Sequence, residues 1–382
     1  MTYMQSLVVR GMLVAAAVLS LPLAAQAASD DIEREFNVAP GGTLFLQSDA
    51  GNVDVNTWNQ ERVRVQIRNT NGFDVEVEQN GDNVEIVADS DRGFFGFGRS
   101  SIGFTIDVPE NYHLDIDTSG GHIFVQDITG NIKADTSGGA IEIGNVTRGN
   151  VEADTSGGRI TILNVDGDVD ADTSGGSITI GNVQGDMVAD TSGGNIEVGE
   201  GGGRVELDTS GGTIRAGWAQ GPLLADTSGG NIYLAGSNTS VEANTSGGSI
   251  TIEGGNGPVN ADTAGGHITI RGATGPVRAD TAGGRIDVDL SAVKDSIGGT
   301  VDLETAGGDV TVRIPASLGV TISAVLEVSR RSRGDYRIYT DFPLTIQEDD
   351  DNIIGRGDIN GGGDRISLRT ENSDIHIVRV EN

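Results

Sequence analysis

The sequence predicts an all-β fold: a single-stranded parallel β-solenoid, right-handed and β-helix-like, with coils of about 18 residues and divergent capping strands at both ends. Three observations predict it. The signature Asp-Thr-Ser-Gly-Gly and its close variants begin at Asp117, Asp135, Asp154, Asp172, Asp190, Asp208, Asp226, Asn244, Asp262, Asp280 and Glu304, at intervals of 18 or 19 residues until a final one of 24. Apolar residues alternate on either side of each signature, the period of a strand with one face inward. Glycine punctuates every unit twice, as corners require. A fixed period of this length means identical units stacked on one another.

Along the chain, residues 1–27 read as a secretory leader: Arg10 gives a positive start, Gly11–Leu23 an apolar stretch, and Ala25-Gln26-Ala27 a small-residue cleavage site. The apolar stretch is short of the ~20 residues that a spanning helix needs. Residues 28–111 form a divergent N-terminal strand and cap region, in which Ser48-Asp49-Ala50-Gly51 echoes the signature. Residues 112–312 are the regular array. Residues 313–382 are divergent coils and a C-terminal cap, with a last weak signature at Thr370–Asp374. Atypical end units are expected, because a bare solenoid end is an open sheet edge.

Within one repeat, a large apolar residue stands three before the signature (Leu114, Ile132, Val151, Val169, Met187, Val205) and alanine usually one before it (Ala134, Ala153, Ala171, Ala189). After the glycines comes a polar residue, then isoleucine from Ile123 to Ile286, with Val310 last. A second turn, such as Gly144-Asn145-Val146, leads to a glycine that opens the next coil, and Pro222, Pro258 and Pro276 follow that glycine at a corner. Stacking such coils ~4.8 Å apart pairs every strand in parallel with its copies and columns the isoleucine, valine and alanine inside. The two signature glycines are expected to supply positive φ at the turn. The aspartate and the hydroxyls are expected to hydrogen-bond the turn's own backbone, a role Asn244 would keep without the charge.

The formal charge is −31, and removal of the leader, which carries Arg10 and no acid, makes it −32. Such a chain is not a nucleic-acid binder, because that depends on Lys and Arg neutralising phosphates. Anionic membrane surfaces repel it unless divalent cations bridge. There is no cysteine, hence no disulfide, lipid-anchor cysteine or thiolate metal site.

The ends resemble the bacterial putative-adhesin family of extracytoplasmic β-strand-repeat proteins, a domain of unknown function. The matching elements are GGTLFLQSDAGNVDV followed by Trp58, the VP…L.I.TSGG.I.V coils, and the closing GRGDINGGGDRISLRTENSDIHI. The resemblance spans most of 36–380. It implies a right-handed β-helix-like fold and an export route, and it carries over no catalytic residue.

Chemistry on a repeat scaffold should show as a local break in the repeat. His122 and His267 occupy one exposed column eight coils apart, ~38 Å at the stacking distance, and cannot share a metal; with His113 and His376 they read as solvated surface residues. No histidine column accompanies the serine column, so a Ser-His-Asp triad fails. Carboxylate pairs at a glycosidase's ~5–9 Å occur everywhere in a ladder of aspartates and distinguish nothing. A polysaccharide lyase or glycoside hydrolase stays as an alternative by fold analogy alone. A second alternative is a calcium ladder on Asp135, Asp154, Asp172, Asp190 and Asp208, since stacked carboxylates repel and divalent cations relieve that. The absence of the GGxGxDx register and the asparagine at 244 weigh against it. The outward column Phe124, Glu142, Thr161, Thr179, Glu197, Arg215, Tyr233 is too interrupted for an ice-binding threonine face.

Three irregular places are candidate partner sites. Phe94, Phe95 and Phe97 form either a plug under the N-terminal cap or an exposed anchor. Arg330, Arg331, Arg333 and Arg337 form a basic island that could receive an acidic glycan or the chain's own loop Glu348–Asp351. Arg-Gly-Asp occurs at 333–335 and 356–358. The insertion within 291–304 reads as a loop leaving the coil. The function expected is an exported, non-enzymatic, adhesin-like binding scaffold of the bacterial envelope, periplasmic or on the cell surface, whose partner is an extended glycan or another envelope component.

Overall fold

The computed structural model describes residues 31–90, 102–290, 293, 295–329, 335–349 and 351–381. It is a parallel β-solenoid built from two long sheets. In one, the strand preceding each signature pairs in register with its copies: Leu114, Ile132, Val151, Val169, Met187, Val205, Leu223, Val241, Val259, Val277 and Val301 lie side by side. In the other, the strand after the glycines does the same from Ile123 to Val310. The second turn contributes a third, very narrow ladder through Val146, Val165, Val183, Gly201 and Ala219. One continuous apolar core runs from Val38 to Ile377. The alanine column is buried too, and Ile116, Leu207 and Leu303 take its place in three coils.

Each signature turn is held by its threonine. The Thr173 hydroxyl donates to the Gly158 carbonyl of the preceding coil at 2.9 Å and accepts the N–H of Gly176 at 3.3 Å. The same pair of bonds recurs at Thr136, Thr155, Thr191, Thr209, Thr227, Thr245, Thr263 and Thr281, all buried. This corrects the expectation for the aspartate. Threonine lies two residues after an inward alanine and so points in; the aspartate between them points out. Among the described residues, none of the column's aspartates accepts a hydrogen bond from its own turn.

The glycines are also needed for a different reason than positive φ, which neither signature glycine adopts. A Cβ on the second glycine would lie 1.7–1.9 Å from the carbonyl oxygen of the coil below, as at Gly176, Gly194 and Gly230. The coils touch backbone to backbone there, and only glycine fits. The first glycine meets nothing closer than about 3.5 Å from Gly157 to Gly307, and the structure gives it no steric reason.

At both ends the stacking order departs from the chain order. The coil made by strands Thr43–Ser48 and Asn52–Trp58 lies between the coil of Asn83–Ser90 with Gly103–Pro109 and the coil of His113–Thr118 with Ile123–Val125. At the other end, Asp364–Glu371 and Ile375–Val380 insert between Thr300–Pro315 and the strands Val320–Glu327 and Ile338–Thr340. Antiparallel strands close the stack: Ile32–Asn37 on Arg62–Arg68 and Phe73–Asn80 on Asn83–Ser90 at one end, Asn352–Ile359 with Thr345–Glu348 at the other. Trp58 belongs to the N-terminal closure: guanidinium groups of Arg62 and Arg64 lie 5.2 and 5.0 Å from its ring, and Arg64 pairs with the largely buried Asp107.

The C-terminal glycine run is a tight reversal, with Asn360, Gly361, Gly362 and Gly363 all at positive φ. The insertion before it is more than a loop. Asp364 accepts hydrogen bonds from the Ser296 hydroxyl at 2.7 Å and the N–H groups of Ile297 and Gly298, which holds its carboxyl below the usual range. Val293 and Ile297 are buried against the core. The insertion thus latches onto the last coil in sequence.

Candidate binding faces

Outward side chains divide between those that join coils and those left for a partner. Three corner ladders belong to the first group. In one, Asn150, Asp168, Asp186 and Arg204 each donate a backbone N–H to the side-chain oxygen of the equivalent residue below, at 2.8–3.0 Å. Arg204 offers no acceptor, and the next member is Pro222, which has no N–H to satisfy. A second ladder runs Asp127, Asn145, Asn164, Asn182, Glu200. A third follows the glycines and uses Asn52, His122, Ser177, Asn195, Asn231, Ser249 and His267 as acceptors. Glycines at 167, 185 and 203 precede the first ladder because a Cβ would meet the oxygen rising from below at 2.1–2.2 Å.

Three histidines are therefore joints. His113, His122 and His267 accept the N–H groups of Asn131, Ala140 and Arg285 through Nδ1, at 2.9–3.1 Å. These histidines are joints and not merely solvated residues, and the signal in the sequence is that acceptor side chains recur in their columns: Asn131, Asn150 and Asp168 above His113, and Asn52, Ser177, Asn195, Asn231 and Ser249 in line with His122 and His267. His376 instead stacks on Tyr339, ring centroids 4.9 Å apart.

The signature aspartates stand directly above one another from Asp117 to Glu304, a column about 50 Å long at the strand spacing. Partial burial, and then the carboxylates of adjacent coils, push Asp117, Asp154, Asp190 and Asp208 above the ordinary carboxylate range; Asp170, one column over, follows the same pattern. Asp280 is raised likewise, against the opposing pull of Arg278. The calcium candidates Asp135, Asp154, Asp172, Asp190 and Asp208 all belong to this column, one per coil, and among the described residues no three His, Asp or Glu side chains converge as a metal site.

Of the irregular places, Phe94, Phe95, Phe97, Arg330, Arg331 and Arg333 lie outside the described residues. Arg337 pairs with Asp335 at 2.7 Å, and its N–H donates to Asp374. The acidic loop's Glu348 acts on it only as a further charge. The Arg-Gly-Asp at 356–358 lies inside strand Asn352–Ile359, where Asp358 accepts the Thr321 hydroxyl at 2.7 Å. It is a strand segment and not a loop tip.

The other sheet's outer face is less charged and carries the exposed rings of Phe124, Tyr233 and Tyr339, while the exposed Phe45 stands on the aspartate sheet beside Asp115. Phe124 borders an open groove with Thr57, Gln126, Glu142, Thr161 and the half-exposed Leu163. Further along, Arg215 sits 4.8 Å above the exposed ring of Tyr233.

Residues 42–271, more than half of the chain, match the model of the toastrack DUF4097 family. The chain belongs to that family. Toastrack membership covers the N-terminal coils and most of the regular array, which agrees with the resemblance carried by GGTLFLQSDAGNVDV and Trp58. No curated protein matches it. Among solved structures it is similar to a putative cell adhesion protein from Clostridium sporogenes (11% identity, 92% of this chain and 100% of that chain, TM-score 0.15). It is also similar to a putative adhesin from Bacteroides fragilis (11%, 92% and 97%, 0.23) and a putative lipid binding protein from Parabacteroides distasonis (14%, 69% and 95%, 0.28). At such identities and scores these likenesses say nothing about what the toastrack chain binds.

Proposed function

We propose that this toastrack protein is an exported, non-enzymatic β-solenoid that acts as a rigid, adhesin-like binding scaffold in the bacterial envelope. The observation that supports it best is the register of the outward columns. Asp117 through Glu304 on one sheet, and Phe124 through Thr311 on the other, present side chains at a regular interval along faces tens of ångströms long. Such a surface suits an extended polymer, because each coil meets the next stretch of partner in nearly the same geometry. The threonine and amide ladders hold the coils rigid, so little ordering entropy is lost on binding. The high negative charge keeps rods apart in solution and disfavours polyanionic partners.

The test takes purified residues 28–382, mixes them with cell envelopes and with insoluble polysaccharides, sediments the mixture and assays the supernatant for new reducing ends. Co-sedimentation without new ends is expected. Reducing ends that accumulate with time would overturn the non-enzymatic reading in favour of a polysaccharide-active β-helix.

A further inference from the structure

Between the signatures at Asp208 and Asn244 the second strand departs from the repeat. From Ile214 to Ala219 and from Ile232 to Ser237 the second strand continues through its corner, with Trp218 beside Gly236 and Ala219 beside Ser237. Neighbouring coils stop after three residues, at Ile196–Val198 and Ile250–Ile252. The corner ladder Asp127–Asn145–Asn164–Asn182–Glu200 ends here, and Trp218 takes its next position. The two following members are Gly236 and Gly254, and a Cβ on either would meet Cζ3 of Trp218 at 2.6 Å. The indole therefore lies lengthwise across two coils, packed on bare backbone, with part of its surface in solvent.

Two residues further along each of these coils, an amide ladder runs alongside the ring. Asn238 donates to Gln220, and Asn256 to Asn238 at 2.8 Å, all three exposed. Three residues to the other side stands Tyr233, exposed, with Arg215 over its ring. Three successive coils thus combine two aromatic side chains with a row of amides repeating at ~4.8 Å. That interval is close to the advance of one pyranose along an extended polysaccharide. Aromatic faces cover the C–H faces of sugars, while amides both donate to and accept from hydroxyls. Arg271 is paired with Glu253 at 2.8 Å, Arg215 keeps its charge over the Tyr233 ring, and the strongly negative chain as a whole disfavours an anionic sugar.

We propose that Trp218, Tyr233 and the Gln220–Asn238–Asn256 amides form a binding platform for a neutral, extended polysaccharide. It rests on the scaffold reading above and gives that scaffold a specific ligand class and place.

Affinity electrophoresis of residues 28–382 through gels containing hydroxyethylcellulose, mixed-linkage β-glucan or galactomannan tests it. At least one polymer is expected to retard the protein. Trp218→Ala should weaken retardation roughly tenfold or more, as loss of an aromatic anchor does. The double variant Asn238→Ala/Asn256→Ala should weaken it too, and it leaves the indole and the core in place. Retardation equal in wild type and both variants would overturn the platform while leaving the scaffold reading intact. So would a wild type that no polymer retards but that still sediments with envelopes. A wild type that does neither would overturn both.

Discussion

Thr173 Oγ1 lies 2.9 Å from the carbonyl oxygen of Gly158, fifteen residues earlier in the chain and one coil away. With the N–H of Gly176 it forms a buried relay that the solenoid repeats at coil after coil. Thr173→Val keeps the shape and leaves a part-buried N–H and a part-buried carbonyl without their partner. The expected cost is about 1–3 kcal/mol, read as a lower denaturant midpoint, with Thr173→Ser losing much less. An equal loss for valine and serine would mean that packing of the methyl, and not the hydroxyl, holds the turn.

The two glycines of the same turn should respond differently. A Cβ on Gly176 would sit 1.7 Å from the Gly158 oxygen, whereas on Gly175 its nearest neighbour is 3.7 Å away. Gly176→Ala must spread two backbones and is expected to cost roughly 3 kcal/mol, the upper range of overpacking. Gly175→Ala should stay within about 0.5 kcal/mol. Paired thermal melts of the two variants decide it.

Acid should stabilise the rod at first. Burial and neighbouring carboxylates raise Asp117, Asp154, Asp170, Asp190, Asp208 and Asp280 above their unfolded values. The folded state therefore binds protons more readily than the unfolded one, and stability rises as pH falls through that raised range. Tm is expected to climb between pH 7 and the upper carboxylate range at low salt, and to climb at pH 7 when salt is added. Asp190→Asn should raise Tm at pH 7 and flatten both responses. A Tm that falls steadily on acidification would show that other groups dominate. Calcium that bridges the column would cancel the same repulsion, so a chelator that lowers Tm in pure buffer would report it.

The latch has the opposite sign. Asp364 is held below the usual carboxyl range by Ser296, Ile297 and Gly298, so its contribution is present above the unfolded value and is lost as pH falls through the folded one. Asp364→Asn is expected to lower C-terminal stability by about 0.5–1.5 kcal/mol at pH 7, since solvent screens the mostly exposed carboxylate. Hydrogen exchange should localise the effect to 293–299 and the strands at 320–327 and 364–371. Uniform loss of protection along the whole rod would contradict a local latch.

The coil, its two strands and its buried columns were legible because periods of 2 and 18 reinforce one another. The roles inside the signature follow from the same alternation carried one step further. Ile116 and Thr118 share the inward face, and Asp117 between them does not. The glycine contacts were hidden because the close approach is to the coil below, at a distance no sequence spacing reveals. His122 and His267 hid as joints for the same reason: the partner of each lies 18 residues away. The stacking order at the ends was not readable. Divergent strands carry no register, and only the echoes at Ser48–Gly51 and Thr370–Asp374 mark which segments complete a coil. The Trp218 site is hard to read because it carries no cluster of charge or aromatic residues in sequence, and its signal is only the end of the corner ladder's run of Asp, Asn and Glu after Glu200.

Because Asp364–Glu371 and Ile375–Val380 sit inside the stack, they are a keystone and not a tip. A truncation just before Asp364 would not shorten the rod by its end coil. It would leave Thr300–Pro315 and Val320–Glu327 facing each other across the width of a missing strand, with both edges open. Loss of Asp364–Glu371 and Ile375–Val380 is thus a deletion from the interior of the stack.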